Sequence, residues 1–275
     1  MEEAHSPSTQ GSNHIMHPSL SIFVALLVSG LATAQRSARG VYTKGMWMVD
    51  GKYGFQKNSY YDFSKATSLP AGLKMSNYPV DTYFFSPANV IVGGGYLQLW
   101  VKNKSFRSAE VTTTSKIKYA SVRTVAILSE PAGVCNGMFF YQSDTQETDI
   151  EFLSNGQSNS NTDAARTANS KSGTRYLWLS NQAVDGSGLK TTNPVALPAN
   201  PTTTEHEYRL DWVPGKTMFY IDGKLVWTST KNVPSVAGTW VFNNWADGDK
   251  YWSAGPPSQD AVFRIKEIDM YWNAG

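Results

Sequence analysis

The stretch RLDWVPGKTMFYIDGKLVW, residues 209–227, constrains the fold most because it reads as three short strands joined by two tight turns. Pro214-Gly215 separates the first strand from the second. Asp222-Gly223, a strong signal for a two-residue hairpin, separates the second from the third. In the first strand, apolar residues alternate with Arg209 and Asp211, which buries one face. The stretch therefore predicts consecutive antiparallel strands that cover a core.

Short strand-like runs recur along the chain, and no convincing amphipathic helix interrupts them after the N-terminal region. The runs include YLQLWV (96–101), VRTVAIL (122–128), GMFFYQ (137–142), TDIEFL (148–153), RYLWLS (175–180), GTWVFNNW (238–245) and AVFRIKEIDMYW (261–272). The last run changes its apolar phase, which predicts a bulge near Lys266-Glu267. We expect an all-β protein, a two-sheet antiparallel β-sandwich.

Two long polar stretches, 154–174 and 181–206, break this pattern, and we expect both to be loops. Loops of this length inside a compact domain are often functional. A solvated insertion without a role in the site is the alternative, and the sequence leaves both open.

The N-terminal region predicts secretion. SLSIFVALLVSGLATA (19–34) is uncharged and ends in an A-x-A cleavage site, so residues 1–34 read as a signal peptide, with Met16 as a second possible start. We expect a single extracellular domain, residues 36–275, without a membrane anchor. Cys135 is the only cysteine, which excludes an internal disulfide, and we expect it to be a small buried apolar residue. The net charge of +2 gives no reason to expect a nucleic acid as partner.

The run QETDIEFL (146–153) carries three carboxylates at alternate positions of a predicted strand: Glu147, Asp149 and Glu151. They share one face, while Ile150 and Phe152 share the other, which suits a core. Three carboxylates side by side repel one another and do not help folding, whereas glycoside hydrolysis requires two carboxyl groups. An acidic stripe on an exposed sheet face or a site for a hard cation would explain the same pattern.

The spacing of the two glutamates favours a retaining mechanism. Their Cα atoms lie about 13 Å apart at about 3.3 Å per residue. Side chains that lean toward each other bring the carboxyls to roughly 5–7 Å, near the separation of about 5–5.5 Å that retention needs. One glutamate is then the nucleophile and the other the acid/base. Asp149 lies between them, and we expect its charge to help keep the acid/base protonated.

The run ETDIEF resembles the E-x-D-x-E signature of glycoside hydrolase family 16. This resemblance implies a concanavalin A-like β-jelly roll that cleaves β-1,3 or mixed β-1,3/1,4 glucans with retention. It also implies that Glu147 is the nucleophile, Asp149 assists and Glu151 is the acid/base.

Three further segments are similar to the family and imply substrate-binding residues. EHEYRLDWVPGKTMFYIDGKLV resembles its H-x-Y-x-x-D-W-x-P-G segment. In NVPSVAGTWVFNNWADGD, Asn243 and Trp245 match substrate-binding positions, and in AEVTTT (109–114) Glu110 matches a sugar-binding Glu. The position of the family's Arg is Thr112. Trp245 is the best candidate for a sugar platform, and Trp178 and Trp252 are weaker ones.

These observations predict a secreted, monomeric, retaining endo-β-glucanase whose partner is a β-glucan polysaccharide. We predict no cofactor. We also predict no metal, because the position of the family's calcium-binding Asp in the last strand is Lys266. A glucan transglycosylase would keep the same three acids, and a lectin-like protein would keep the sandwich without catalysis.

Overall fold

The structure, a computed structural model, describes residues 40–275. The predicted signal peptide, residues 1–34, lies outside the described residues, so that prediction stays untested. In the described range, strands dominate. They are β1 (Val41–Thr43), β2 (Met46–Val49), β3 (Tyr53–Phe55), β4 (Lys57–Asp62), β5 (Leu73–Met75), β6 (Tyr78–Val80), β7 (Tyr83–Phe85), β8 (Val90–Gly93), β9 (Tyr96–Val101), β10 (Arg107–Thr113), β11 (Ile117–Ile127), β12 (Cys135–Ser143), β13 (Gln146–Leu153), β14 (Tyr176–Asn181), β15 (Thr191–Ala196), β16 (His206–Val213), β17 (Lys216–Ile221), β18 (Lys224–Ser229), β19 (Thr239–Trp245) and β20 (Ala261–Ala274). A short 3₁₀-helix (Pro87–Asn89) and one α-helix, α1 (Asn159–Thr167), complete the elements.

Two large sheets form the sandwich, which confirms the predicted fold class. One sheet has nine strands in the order β15-β14-β13-β12-β19-β10-β7-β6, with β5 also paired to β10. The other has eight strands in the order β18-β17-β16-β11-β20-β9-β8, with β4 also paired to β20. The pairs are antiparallel except for β7 with β10. β1, β2 and β3 form a separate three-stranded sheet.

The core lies between the two large sheets and is built from alternate residues of each strand. Phe140 of β12 meets Trp212 of β16, with ring centroids 4.0 Å apart. Ile150 and Phe152 of β13 are buried in the same cluster, as the alternation in that strand predicted. Because these residues occupy the core side of the nine-stranded sheet, the intervening residues of its strands face outward.

The bulge predicted near Lys266-Glu267 is confirmed. Val125 of β11 pairs with Glu267, but the next residue, Ala126, pairs with Ile265, so β20 carries one extra residue at Lys266. An extra residue shifts the alternation by one position. This shift allows both Phe263 and Ile268 to be fully buried although their phases differ.

The expectation that residues 154–174 and 181–206 are loops was wrong in part. Residues 159–167 form α1, whose N-terminus is capped by the Ser158 hydroxyl, which accepts a hydrogen bond from the backbone N–H of Asn161. Residues 191–196 form β15, which pairs along the whole of β14. In residues 40–275 no helix has the length and apolar character needed to cross a membrane.

Candidate active site

The acidic strand β13 forms part of the wall of a cavity of about 590 Å³ on the outer face of the nine-stranded sheet. Glu147 and Glu151 both line this cavity. Asp149, which lies between them on the same face, is only 1% exposed and does not contribute to the lining. All three acids were expected to point into an open cleft; Glu147 and Glu151 do line the cavity, whereas Asp149 lies beneath its surface.

A row of outward-facing residues crosses five strands and brings together positions far apart in sequence. The pairing runs from Glu110 to Asn243, then to Gly137, to Glu151 and to Trp178. Three of the side chains in this row, those of Glu110, Asn243 and Glu151, line the cavity. The glycine in the middle of the row keeps the surface between Asn243 and Glu151 free of a side chain.

Glu110 is the acceptor in a buried hydrogen-bond network at one side of the cavity. The Ser76 hydroxyl donates to it at 2.6 Å, the Tyr78 hydroxyl at 2.9 Å and the Asn243 amide at 3.3 Å. Burial raises the pKa of Glu110, and these three hydrogen bonds act against that shift. In the described part of the chain, the Asn243 Oδ1 and Thr112 Oγ1 atoms are buried without a partner. Both residues line the cavity, although these two atoms themselves are covered by the protein.

Trp245 and Trp178 have different environments. Trp245 is half-buried, lines the cavity and stacks on Tyr83, with ring centroids 5.3 Å apart. Trp178 is only 8% exposed and is absent from the cavity lining. Its ring packs against Trp252, 5.2 Å between centroids, and its Nε1 donates to Asn161 of α1. The expectation that Trp178 is a sugar platform therefore disagrees with its position, because Trp252 and α1 cover it.

Burial raises the pKa of all three acids of β13. The pKa of Glu147 is raised to about 7, with burial as the main cause, and a hydrogen bond from Asp149 acts against the shift. Burial and the charges of Glu147 and Glu151 raise the pKa of Asp149 well above its usual range. These causes favour the neutral form of Asp149, which can donate a hydrogen bond to Glu147. The expectation that the charge of Asp149 helps to keep the acid/base protonated stays a prediction, and burial between two other carboxyls disfavours that charge.

Glu151 is held by two donors on the same oxygen. Trp252 Nε1 lies 3.1 Å from Oε1, and Cys135 Sγ lies 3.3 Å from it. Burial raises the pKa of Glu151, while these two donors and the positive charge of Lys190 act against the shift. Cys135 is buried, as expected for the single cysteine. Its contact with Glu151 was not foreseen.

Several residues of the site were missed in the sequence. One of them is Gln182, whose side-chain amide donates to Asp149. Gln182 lies two positions after Ser180, the last residue of the predicted strand 175–180. If that strand had been extended by two residues, its alternation would have placed Gln182 on the same face as the acids. The aromatic residues Tyr78, Tyr83, Phe85, Phe139 and Tyr141 also line the cavity. β6 and β7 are three-residue strands without a recognisable alternation, so Tyr78 and Tyr83 had no usable signal.

No cluster of three or more His, Cys, Asp or Glu side chains within residues 40–275 is arranged to hold a metal ion. The arrangement instead provides the two cavity-lining carboxyls of β13, the buried Asp149 between them, and a wall of aromatic and amide side chains. These are the groups required for acid-assisted nucleophilic displacement at a sugar carbon.

Comparison with known proteins agrees with this chemistry. The family model described as "Glycosyl hydrolases family 16" matches residues 76–255. A beta-glucanase from Paenibacillus polymyxa is 26% identical over 148 residues, which is 52% of this chain and 54% of that protein. The chain spans about half the length, or less, of the curated relatives it matches.

Solved structures share the fold at low identity. The Bacillus licheniformis beta-glucanase superposes with a TM-score of 0.61 at 16% identity, covering 78% of this chain and 97% of the other. A structure titled "Apo Crh5 transglycosylase" superposes with a TM-score of 0.57 at 18% identity, covering 79% and 85%. At these identities the likeness shows the fold alone.

Proposed function

The chain belongs to the glycosyl hydrolases family 16, and from this membership we propose that it is a retaining endo-β-glucanase that hydrolyses β-1,3 or mixed β-1,3/1,4 glucans. One observation carries the proposal. Glu147 and Glu151 come from one face of one strand and line the same cavity, and the buried Asp149 lies between them on that face. This is the set of groups that a double displacement needs.

In the first step, the ionised Glu147 attacks the anomeric carbon while Glu151 protonates the departing glycosidic oxygen. The C–O bond to the leaving sugar breaks, and a glycosyl ester forms on Glu147. Asp149 donates its hydrogen bond to the attacking carboxylate and orients it. Burial favours the neutral form of Glu151, which is the form that this step requires.

In the second step, Glu151, now ionised, accepts a proton from water, which attacks the glycosyl ester and restores Glu147. Esterification removes the negative charge of Glu147. Because a neighbouring negative charge raises a carboxyl pKa, its loss lowers the pKa of Glu151, as its role as a base demands. Two inversions at one carbon give net retention.

The cavity wall suits a neutral polysaccharide. Trp245 and Tyr83 offer aromatic rings on which the apolar faces of pyranose rings pack, and the polar residues Asn243 and Thr112 line the same cavity. The beta-glucanase relative supports the substrate class. We further propose that the protein is secreted after removal of residues 1–34, that residues 36–275 form one domain, and that it works as a monomer, since one copy supplies all the cavity residues named here.

The test is the stereochemistry of azide rescue. Glu147→Ala should abolish turnover, and azide should occupy the vacated space and give a glycosyl azide of inverted configuration. Glu151→Ala should keep the first step on substrates with good leaving groups, and azide should then give retained configuration. Glu130→Ala removes an exposed carboxylate and should leave turnover unchanged. Wild-type turnover in both active-site variants would exclude catalysis by β13.

Product analysis on β-1,3-glucan, mixed-linkage glucan and xyloglucan defines the reaction further. Shorter glucans with new reducing ends indicate hydrolysis. Longer chains formed from a labelled acceptor indicate transglycosylation, which shares the first step. Glucan binding without either product would make the protein lectin-like and contradict the proposal.

A further inference from the structure

One oxygen of Glu151 accepts two hydrogen bonds from separate parts of the chain. Trp252, in the segment between β19 and β20, donates through Nε1 at 3.1 Å. Cys135, the first residue of β12, donates through Sγ at 3.3 Å. Both bonds reach Oε1. The remaining oxygen, Oε2, accepts no hydrogen bond from any residue in the described part of the chain.

Two polar segments of the sequence hold Trp252 in place. Its ring packs against Trp178, whose Nε1 donates at 3.0 Å to Asn161 of α1. Lys190, which immediately precedes β15, places its Nζ 4.2 Å from the centroid of the Trp252 ring. The segments 154–174 and 181–206, which the sequence left without a role, therefore both supply contacts that orient a donor to Glu151.

A neutral carboxyl group has one oxygen that is an acceptor only and one that carries the proton. An oxygen that already accepts two hydrogen bonds is disfavoured as the site of the proton. We propose that Cys135 and Trp252 are positioning residues that keep the proton of Glu151 on Oε2 and direct it toward the glycosidic oxygen. This inference rests on the function proposed above.

The thiol suits this role because burial, together with the charge of Glu151, raises the pKa of Cys135 well above its usual range. It therefore remains a donor in both steps. A hydrogen bond to an ionised carboxylate stabilises the charge and lowers its pKa, so removal of either donor should raise the pKa of Glu151. Other titratable groups near this part of the cavity are Glu147 and Asp149 on β13, Lys190 before β15, Tyr83 on β7 and Asp247 after β19.

The experiment compares two substrates in Trp252→Phe and Cys135→Ala. The polysaccharide has a poor leaving group and needs the proton, whereas a 2,4-dinitrophenyl β-glucoside needs none in the first step. We expect kcat/KM to fall about tenfold or more on glucan and less than about threefold on the aryl glycoside. The alkaline limb of the pH profile on glucan should move to higher pH. Cys135→Ser keeps a donor and should restore most of the loss.

Trp227→Phe removes an indole N–H from β18, in the other sheet, and is the control. It should leave kcat/KM unchanged on both substrates. An equal loss on both substrates, or no loss, would overturn the inference while leaving the proposed function intact. If the parent protein acts on no substrate, the proposed function fails. In that case the pKa of Glu151, measured by NMR of ¹³C-labelled glutamate carboxyls, still tests the inference independently of activity. A raised pKa in Trp252→Phe supports it, and an unchanged pKa contradicts it.

Discussion

The side-chain amide of Gln182 donates a hydrogen bond to Oδ2 of Asp149 at 3.1 Å, beneath the floor of the cavity. Asp149 Oδ1 has no hydrogen-bond partner among the described residues, and interaction with Asp149 acts against the raised pKa of Glu147. We infer that Asp149 is neutral in the active form, so that it accepts from Gln182 through Oδ2 and can donate to Glu147 through Oδ1. Gln182 thereby assigns the proton of Asp149 to the oxygen that serves the nucleophile.

Asp149→Asn should keep this arrangement, since the Asn carbonyl accepts from Gln182 and the amide N–H donates to Glu147. We expect kcat/KM within about tenfold of the parent. Asp149→Ala should lose about 10–100-fold, because a hydrogen bond to a charged group contributes about 1.5–3 kcal/mol. Steady-state kinetics on mixed-linkage glucan compares the two. Equal losses in both variants would mean that Asp149 acts through its charge and would contradict the neutral assignment.

The pH dependence of activity should follow the carboxyls of β13. Attack requires ionised Glu147, whose pKa is raised to about 7 chiefly by burial. The acid limb of the kcat/KM profile should therefore have an apparent pKa near 7, and activity should fall as the pH drops below this value. Because the acids interact, this apparent pKa belongs to the group of acids and not to Glu147 alone. An acid limb near pH 4.5 would show that Glu147 is not perturbed.

The free energy of unfolding should also depend on the ionisation of Glu147, but it should decrease as the pH rises, whereas activity should increase. The pKa of Glu147 is higher in the folded protein than in the unfolded chain, so ionisation disfavours the folded state. That cost is absent below about pH 4.5 and is complete above about pH 7. Glu147→Gln should therefore raise the melting temperature more at pH 8 than at pH 4. Glu130→Gln, at an exposed position, is the control and should show no such difference.

The strands that carry the site could be predicted because each has a strong local pattern. Glu147, Glu151 and Ile150 are placed by simple alternation, and a change of phase located the bulge at Lys266. By contrast, α1 is a polar helix, and its burial depends on contacts of Ala164 and Ala165 with distant residues. The partners of Glu151 come from β12 and from the segment after β19, so only tertiary packing brings them together.

Asn161 should be a stability determinant of α1. Its Nδ2 donates to the backbone oxygens of Leu153 and Asn155, and its Oδ1 accepts from Trp178, all in a buried environment. Asn161→Ala leaves these groups without partners and should lower the free energy of unfolding by about 1–3 kcal/mol or more. Arg166→Ala removes an exposed ion pair on the same helix and should cost less than about 1 kcal/mol. Denaturant titration measures both, and similar small costs would contradict the assigned role.

Gly137 should be required for the position of Asn243. A Cβ at residue 137 would overlap Asn243 Oδ1 and would lie 3.0 Å from the ring of Phe139, both of which line the cavity. Gly137→Ala should therefore displace the Asn243 amide from Glu110 and from the substrate. We expect a loss of about 1–3 kcal/mol in stability, as for other overpacked sites, together with a higher KM for glucan. In Gly93→Ala the added Cβ meets nothing within 4 Å, so this control should leave both quantities nearly unchanged. A crystal structure of Gly137→Ala with Asn243 unmoved and an unchanged KM would refute the requirement.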